Sequence, residues 1–189
     1  EFEYKVGCDD KGLIEGVDII MAMRSGNVAD LSSGLLGRAL CHADNCYYLP
    51  NVKLSGFPCK TNTVSNTAFR GFGGPQGMLI IEVIIEHIAK KLGKTPEEIR
   101  SINYYGKGDR NITPYSQVIR DNIIDELTAT LLKNINYKDR KKQVEKFNQS
   151  HHTLKKGIAM MPVKFGISFN ATHLNQAGAL VHVYTDGSV

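Results

Sequence analysis

A glycine-rich turn directly before a long apolar helix is the feature that most constrains how this chain can fold. Three of the five residues in Gly71–Pro75 are glycines. The closing proline suits the first turn of a helix, where its missing N–H has no partner to lose. Apolar residues then recur at helical spacing over Met78–Leu92, and Gly93 suits the left-handed position that ends a helix. The pattern predicts a helix that begins at the turn and ends at Gly93.

The same turn has two possible roles. A glycine-rich loop leading into a helix N-terminus can present backbone N–H groups to an anion. Gly71–Gln76 has no Gly-Lys-Ser/Thr ending, and Gln76 stands where a dinucleotide-binding loop requires its third glycine. By pattern alone, an anion site and a tight turn packed on the helix are equally favoured. Arg70, a permanent cation, and Phe72, an aromatic between glycines, favour a site for an anionic group and a flat ligand.

The remaining elements follow from hydrophobic period and from turn and cap residues. The patterns predict strands over Phe2–Val6 and Leu13–Met23, a helix over Asp30–Ala43, a strand over Tyr47–Leu54, a loop over Ser55–Asn66, helices over Thr95–Tyr105, Ser116–Leu132 and Tyr137–Asn148, and β-structure over Lys156–Phe169 and Gly178–Tyr184. We expect Asp30 or Ser32 to cap the first helix. The fold class is therefore α+β, with mixed sheets and packed helices. No repeat or linker divides the chain, so we treat 1–189 as a single partial domain, cut at both ends.

Composition and charge limit the classes of partner that the chain is expected to bind. The chain is 42% apolar and 22% charged, as in ordinary globular proteins, and no 18-residue apolar run occurs. The net charge is +4, and the densest basic cluster, Lys138–Lys142, falls in a predicted helix rather than among stacking aromatics. A solvated helix face is favoured over a nucleic-acid site, and we expect no membrane partner.

Two groups of residues could suggest a metal, and both have simpler interpretations. The four cysteines form no Cys-x-x-Cys pair, and Cys41, His42 and Cys46 lack a fourth ligand, so buried thiols in a reduced intracellular protein are favoured. Glu82 and Glu86 lack the Glu-x-x-His spacing of di-iron bundles, so a solvated or ion-paired helix face is favoured. We assign no metal ligand to the chain.

Ser65–Met78 resembles the signature of the xanthine dehydrogenase and aldehyde oxidase family, in its large molybdopterin-binding region. Further matching stretches, in the same order, are Tyr4–Gly7, Cys59–Asn62, Lys164–Phe169, Leu174–Ala179 and Val183–Val189. The resemblance spans nearly the whole chain and is weakest over Asn111–His152. It implies that the α+β fold is part of the molybdopterin-binding region of a molybdenum hydroxylase.

The resemblance implies roles for four residues. Arg70 corresponds to a contact to the molybdenum cofactor. Phe72 and Phe169 correspond to the two aromatics that hold the purine, one by its face and one by its edge; without the resemblance, Phe169 would be interpreted as strand packing. Asn170 stands where the family usually has a substrate-binding Thr, and Thr63–Val64 stands where Leu-Pro is usual, so substrate choice is open. The family's general base, a glutamate, is expected outside the chain, so no catalytic residue is assigned here.

The resemblance also implies an activity. It predicts a section of an enzyme that oxidises hypoxanthine and xanthine toward urate with molybdenum-molybdopterin. FAD, 2Fe-2S clusters and NAD are expected in parts of the enzyme outside this chain, and the enzyme is expected to be a cytoplasmic or peroxisomal homodimer. The glycine pair Gly73–Gly74 favours the purine enzyme, because aldehyde oxidases tend to carry a bulky aromatic at the second position. An aldehyde oxidase and a non-catalytic scaffold homologue remain the alternatives.

Overall fold

A three-stranded mixed sheet and two helices packed against it form the frame of the computed structural model, which describes all 189 residues. The elements are β1 (Phe2–Cys8), β2 (Ile14–Gly26), α1 (Ser32–Cys41), β3 (Val52–Lys60), α2 (Gly74–Leu92), α3 (Pro96–Asn103), α4 (Ile124–Asn134) and α5 (Tyr137–Ser150). The central strand β2 pairs antiparallel with β1 and parallel with β3. The α+β class is confirmed, with one sheet.

The core lies between the sheet and the helices α1 and α2. On β2, the alternate residues Val17, Ile19 and Met21 are buried, as expected for a strand with one covered face. Their partners are apolar side chains of the helices, chiefly Leu36, Ala39, Ile80, Ile81, Ile84, Ile85 and Ile88. Burial of this apolar surface is what holds the sheet and the two helices together.

The elements predicted from local signals are confirmed. The hairpin turn between β1 and β2 places Gly12 at a φ of 91°, a conformation that glycine adopts without strain. Helix α2 begins at the glycine-rich turn, with Pro75 in its first turn, and ends at a left-handed Gly93. Helix α3 begins with a capping box in which Thr95 and Glu98 bond each other's backbone N–H. Helix α5 carries the basic cluster Lys138–Lys142 on a largely exposed face, as predicted.

The strand predicted over Tyr47–Leu54 is wrong in its position. Tyr47 is fully buried, but it makes only an isolated bridge with Tyr104, and the strand begins at Val52. β3 then continues to Lys60, through residues predicted as loop. A proline and a glycine are compatible with a strand at the edge of a sheet, which is where β3 lies.

One predicted helix cap and one predicted helix start are wrong. Helix α1 begins at Ser32 after Leu31, and neither Asp30 nor Ser32 caps it, since no side chain accepts a bond from its first N–H groups. Helix α4 begins at Ile124, not near Ser116, which sits in a turn with a φ of 64°. The Asn122 carboxamide accepts from the Ile124 N–H at 3.1 Å and supplies the acceptor at this helix start.

The β-structure predicted over Lys156–Phe169 and Gly178–Tyr184 is absent, because neither segment has a neighbouring strand to pair with. In the first segment, backbone groups from Pro162 onward are bound instead by side chains of α1 and the turn after it. The second segment is exposed along its whole length. No helix in the structure combines the length and apolarity needed to cross a membrane.

Candidate functional site at the glycine-rich turn

Three successive residues of the glycine-rich turn have left-handed backbone conformations. The φ angles are 100° at Gly71, 47° at Phe72 and 93° at Gly73. Glycine adopts such angles freely, whereas a residue with a side chain is destabilised there by about 1–2 kcal/mol. The turn is closed by Phe72 and Gly74, whose N–H groups donate to Phe69 and Gly71. Local strain at Phe72 is therefore part of how the turn presents that aromatic ring.

Glycine is also required here because α1 lies directly against the start of α2. A Cβ on Gly73 would lie 2.1 Å from the Leu35 carbonyl oxygen, and one on Gly77 would lie 2.2 Å from the Ala39 carbonyl oxygen. Both atoms belong to the α1 backbone, which cannot move aside as a side chain can. The packed-turn interpretation of the sequence is confirmed.

The turn also retains free hydrogen-bond donors. The backbone N–H groups of Gly71, Gly73 and Gln76 donate to no acceptor, and they lie at the N-terminus of the 19-residue helix α2. Arg70, next to them, is exposed and makes no ion pair. Unpaired N–H groups, the positive end of a helix dipole and a guanidinium together suit an anionic group. The two interpretations left open by the sequence are therefore compatible in one turn.

Two of the predicted substrate residues lie together above α1. The ring centroids of Phe72 and Phe169 are 5.4 Å apart with an interplanar angle of 63°, an edge-to-face arrangement. Below them is Gly34, where a Cβ would lie 3.4 Å from Phe72 Cζ and 3.8 Å from Phe169 Cε2. Both rings are half-buried. One ring face and one ring edge are thus presented side by side.

Asn170 lies next to this pair but is turned toward α1. Its Nδ2 donates to the Gly34 carbonyl oxygen at 3.1 Å, and a Cβ on Gly37 would lie 2.6 Å from the same nitrogen. The donor of the amide is therefore engaged by the helix, and Oδ1 is its unbound polar atom. The structure brings Asn170 to the aromatic pair, with its acceptor available.

Residues not anticipated from the sequence hold this side of the site in place. The segment Pro162–Asn170 is bound at alternate residues by polar side chains of α1 and of the turn that follows it. Asn45 binds the Pro162 carbonyl and the Lys164 N–H, His42 accepts from the Gly166 N–H, and Arg38 donates to the Gly166 and Ser168 carbonyls. The available signal was a set of polar residues at helical spacing within an otherwise apolar stripe. Such residues on a buried face require partners.

The electrostatics of these groups follow from their burial. Burial lowers the pKa of His42, and the nearby cations Arg38 and Lys164 act in the same direction. Burial raises the pKa of the Asp44 carboxyl, although Lys164 Nζ, 2.5 Å away, favours the charged form. Arg38 Nε is buried without a hydrogen-bond partner. Arg38 therefore places a permanent, incompletely paired cation beside the aromatic residues, 5.3 Å from the Phe165 ring centroid.

The Glu82 and Glu86 pair is ion-paired, as predicted, but only Glu86 is solvated. Glu82 is 6% exposed and Glu86 side chain 51% exposed, and both bind Arg100, at 2.9 Å and 2.8 Å respectively. Glu82 also accepts from Tyr47 and Asn45. With all its acceptors satisfied, Glu82 is a structural ion-pair partner within the core, away from the aromatic pair.

The cysteines do not converge on a metal. No three His, Cys, Asp or Glu side chains are grouped so that they could hold a metal ion. Cys46 is buried, as predicted, and burial raises the pKa of its thiol to about 12. Cys8, Cys41 and Cys59 are half-buried and unpaired. Both ring nitrogens of His42 are occupied, by the Arg38 carbonyl and the Gly166 N–H.

Comparison with known proteins identifies the family to which the chain belongs. Models of the molybdopterin cofactor-binding domain match residues 1–104 and 130–189. The structure is similar to the aldehyde oxidoreductase from Desulfovibrio desulfuricans, with a TM-score of 0.69 and 25% identity over 77% of this chain and 16% of that one. The chain belongs to the molybdopterin cofactor-binding domain family.

Other relatives have a higher sequence identity than the 25% of the aldehyde oxidoreductase, and the similarity extends over nearly the whole chain. The chain is 50% identical over 186 residues to the xanthine dehydrogenase/oxidase of Gallus gallus, and 46% identical over 188 residues to the xanthine dehydrogenase of Calliphora vicina. It is also 48% identical over 188 residues to a nicotinate hydroxylase of Emericella nidulans. The chain spans 14% of the length of each of these relatives and 98% or more of its own. It therefore corresponds to the molybdopterin-binding region of xanthine dehydrogenase-like hydroxylases.

Proposed function

We propose that this chain builds one side of the cofactor and purine pocket in a xanthine dehydrogenase-like molybdenum hydroxylase that oxidises hypoxanthine and xanthine toward urate. The observation that carries the proposal is the edge-to-face pair Phe72 and Phe169, set beside the free donors of the glycine-rich turn. A flat, electron-poor ring can lie against one aromatic face and one aromatic edge, each contact worth on the order of 1 kcal/mol beyond burial.

In this proposal the turn holds molybdopterin. Arg70 and the N–H groups of Gly71, Gly73 and Gln76 bind its anionic and hydrogen-bonding groups, because these donors of the turn have no partners. When bound, the molybdenum cofactor supplies the oxidation chemistry, and the residues of this chain bind and orient the substrate beside it. We assign no catalytic residue to the chain, since its general base is proposed to lie elsewhere in the enzyme.

The substrate side is formed by Phe72, Phe169 and Asn170, with Arg38 as an additional cation. The Asn170 acceptor suits a purine N–H, and the buried guanidinium of Arg38 suits a purine oxygen. The family resemblance of the Gly73–Gly74 pair supports a purine rather than an aldehyde substrate. A Cβ on Gly74 would lie 2.5 Å from Phe165 Cε2, so a bulky aromatic there would displace Phe165. Within the enzyme, 1–189 is one partial domain, and FAD, 2Fe-2S clusters and the NAD site belong to other parts of a cytoplasmic or peroxisomal homodimer.

The test uses the full-length enzyme. Phe72→Ala and Phe169→Ala should each lower kcat/KM for hypoxanthine at least about tenfold, the equivalent of about 1.4 kcal/mol, with unchanged molybdenum content. Phe147→Ala, in α5, is the matched control and should leave kcat/KM unchanged. Unaltered kinetics in both site variants would refute the pocket assignment.

Two further measurements on the wild-type enzyme separate the alternatives. A substrate panel of hypoxanthine, xanthine, nicotinate and aromatic aldehydes, read with NAD and with oxygen as acceptor, should show preference for the purines. Preference for aldehydes would favour an aldehyde oxidase. Absence of molybdenum above background would favour a scaffold homologue.

A further inference from the structure

Arg38 of α1 and His42, the residue that follows α1, lie one helical turn apart and bind the same residue, Gly166. His42 Nε2 accepts from the Gly166 N–H at 3.0 Å, and Arg38 donates to the Gly166 carbonyl oxygen. Arg38 also donates to the Ser168 carbonyl oxygen at 2.5 Å. Gly166 is thus held through the N–H of one peptide group and the carbonyl oxygen of the next, which leaves this residue little freedom to rotate or shift.

The second contact of His42 determines where its proton lies. Its Nδ1 is 2.9 Å from the Arg38 carbonyl oxygen, which can only accept a hydrogen bond. Nδ1 therefore carries the proton, and Nε2 is left with the lone pair that receives the Gly166 N–H. A second proton on Nε2 would place two N–H groups against each other and break this contact.

The peptide at Gly166 lies between the aromatic residues of the site. The His42 ring packs against Phe165 with 4.8 Å between ring centroids, and Phe169 follows three residues later. The segment between them has no strand partner, so side-chain contacts from α1 fix its course. Loss of the His42 contact would leave Arg38 alone to hold the backbone between Phe165 and Phe169, and would loosen both rings.

We propose that His42 is a positioning residue whose neutral form, with the proton on Nδ1, holds the Gly166 peptide and thereby keeps Phe169 in place against the substrate. The proposal rests on the proposed function above. It adds a specific pH dependence to substrate binding, because the contact exists only while His42 is neutral.

The charged groups that face His42 are Arg38 from α1, Asp44 from the turn after it, and Lys164 from the bound segment. Burial lowers the pKa of His42 below its ordinary value of 6.5, and the hydrogen bond to the Arg38 carbonyl opposes this shift. The cations Arg38 and Lys164 lower the pKa further, and Asp44 has a smaller opposite effect. A histidine whose pKa is lowered on folding stabilises the fold above its unfolded pKa, and this contribution is lost as pH falls toward the folded pKa. The hydrogen bond between His42 and the Gly166 N–H is therefore intact at neutral pH and weakens as the pH falls.

The test compares His42→Gln and His42→Leu in the full-length enzyme. Gln keeps an acceptor for the Gly166 N–H but does not titrate, whereas Leu has no acceptor. With hypoxanthine, we expect KM of the wild type to rise as the pH falls from neutral toward the lowered pKa of His42. We expect the Gln variant to lack this rise and the Leu variant to have a kcat/KM about tenfold lower throughout, equivalent to about 1.4 kcal/mol. His87→Gln, an exposed histidine on α2, should behave as wild type.

A second readout does not depend on turnover. Hydrogen exchange of the Gly166 amide, corrected for the intrinsic effect of pH, should show protection in the wild type at about pH 8 that decreases as the pH falls toward the lowered pKa of His42. The Leu variant should lack this protection throughout. Equal KM profiles and equal exchange in wild type, Gln and Leu variants would overturn the proposal. If the wild type oxidises no purine, the proposed function fails, and exchange alone decides the role of His42.

Discussion

Replacing Gly73 with Ala adds one methyl group where α1 and α2 approach most closely. The new Cβ would lie 2.1 Å from the Leu35 carbonyl oxygen and 3.1 Å from the Ala39 nitrogen, so the helices must separate. The left-handed φ of 93° destabilises alanine by about 1–2 kcal/mol, and relief of the overlap adds about 1–3 kcal/mol. We expect a total of about 2–5 kcal/mol of local destabilisation.

Gly93→Ala is the matched control, because Gly93 also has a left-handed φ, 66°, but nothing lies within 4 Å of its Cβ position. Gly93→Ala should therefore cause only the destabilisation of alanine at a left-handed φ, about 1–2 kcal/mol. The difference between the two variants therefore isolates the close approach of α1 and α2.

The assay is hydrogen exchange with mass spectrometry on the full-length protein, since it reports the opening free energy of individual peptides. A tenfold loss of protection corresponds to about 1.4 kcal/mol, so Gly73→Ala should lower protection of α1 and α2 by about thirtyfold to several thousandfold. Gly93→Ala should lower it by about five- to thirtyfold, at the end of α2 only. The packing argument is refuted if Gly73→Ala lowers protection in α1 no more than Gly93→Ala does.

Two further predictions concern the core. Glu82→Gln removes the charge from a buried ion pair with Arg100 and should lower the opening free energy of α2 and α3, measured by hydrogen exchange, by about 3–5 kcal/mol. Glu86→Gln, at a half-exposed side chain, should change the same free energy by less than about 1 kcal/mol. Equal effects of the two substitutions would contradict the assignment of Glu82 and Arg100 as a buried pair. Cys46 is buried and its thiol has a pKa of about 12, so it should resist alkylation by iodoacetamide at about pH 8, whereas the half-buried Cys59 should react. Peptide mass spectrometry measures both reactions. Alkylation of Cys46 at the rate of Cys59 would contradict the burial of Cys46.

The sequence predicted the elements whose causes are local. Helix α2 follows from Pro75 and Gly93, and α3 follows from the cap Thr95 and from Pro96, because each signal acts within one helical turn. The predicted position of β3 was wrong, because a strand is defined by the strand it pairs with. Val52–Lys60 pairs with β2, from which it is separated in sequence by α1. Alternation over Gly178–Tyr184 likewise did not form a strand, since no partner strand lies beside it.

In the candidate site, too, features with local causes could be predicted, whereas contacts between distant residues could not. The left-handed turn and the helix dipole at α2 could be predicted from Gly71–Pro75 alone. The pairing of Phe72 with Phe169 followed only from the family resemblance, since nothing local connects residues so far apart. Arg38 and His42 were missed because their partners lie 128 and 124 residues away along the chain. The roles of Arg70, Phe72, Phe169 and Asn170 remain predictions.

The most direct test of the account is the structure of the full-length enzyme with hypoxanthine bound. We predict that the purine contacts the face of one of Phe72 and Phe169 and the edge of the other, and that Arg70 and the N–H groups of Gly73 and Gln76 contact molybdopterin. A purine bound elsewhere, with Phe72 and Phe169 packed only against each other, would contradict the account.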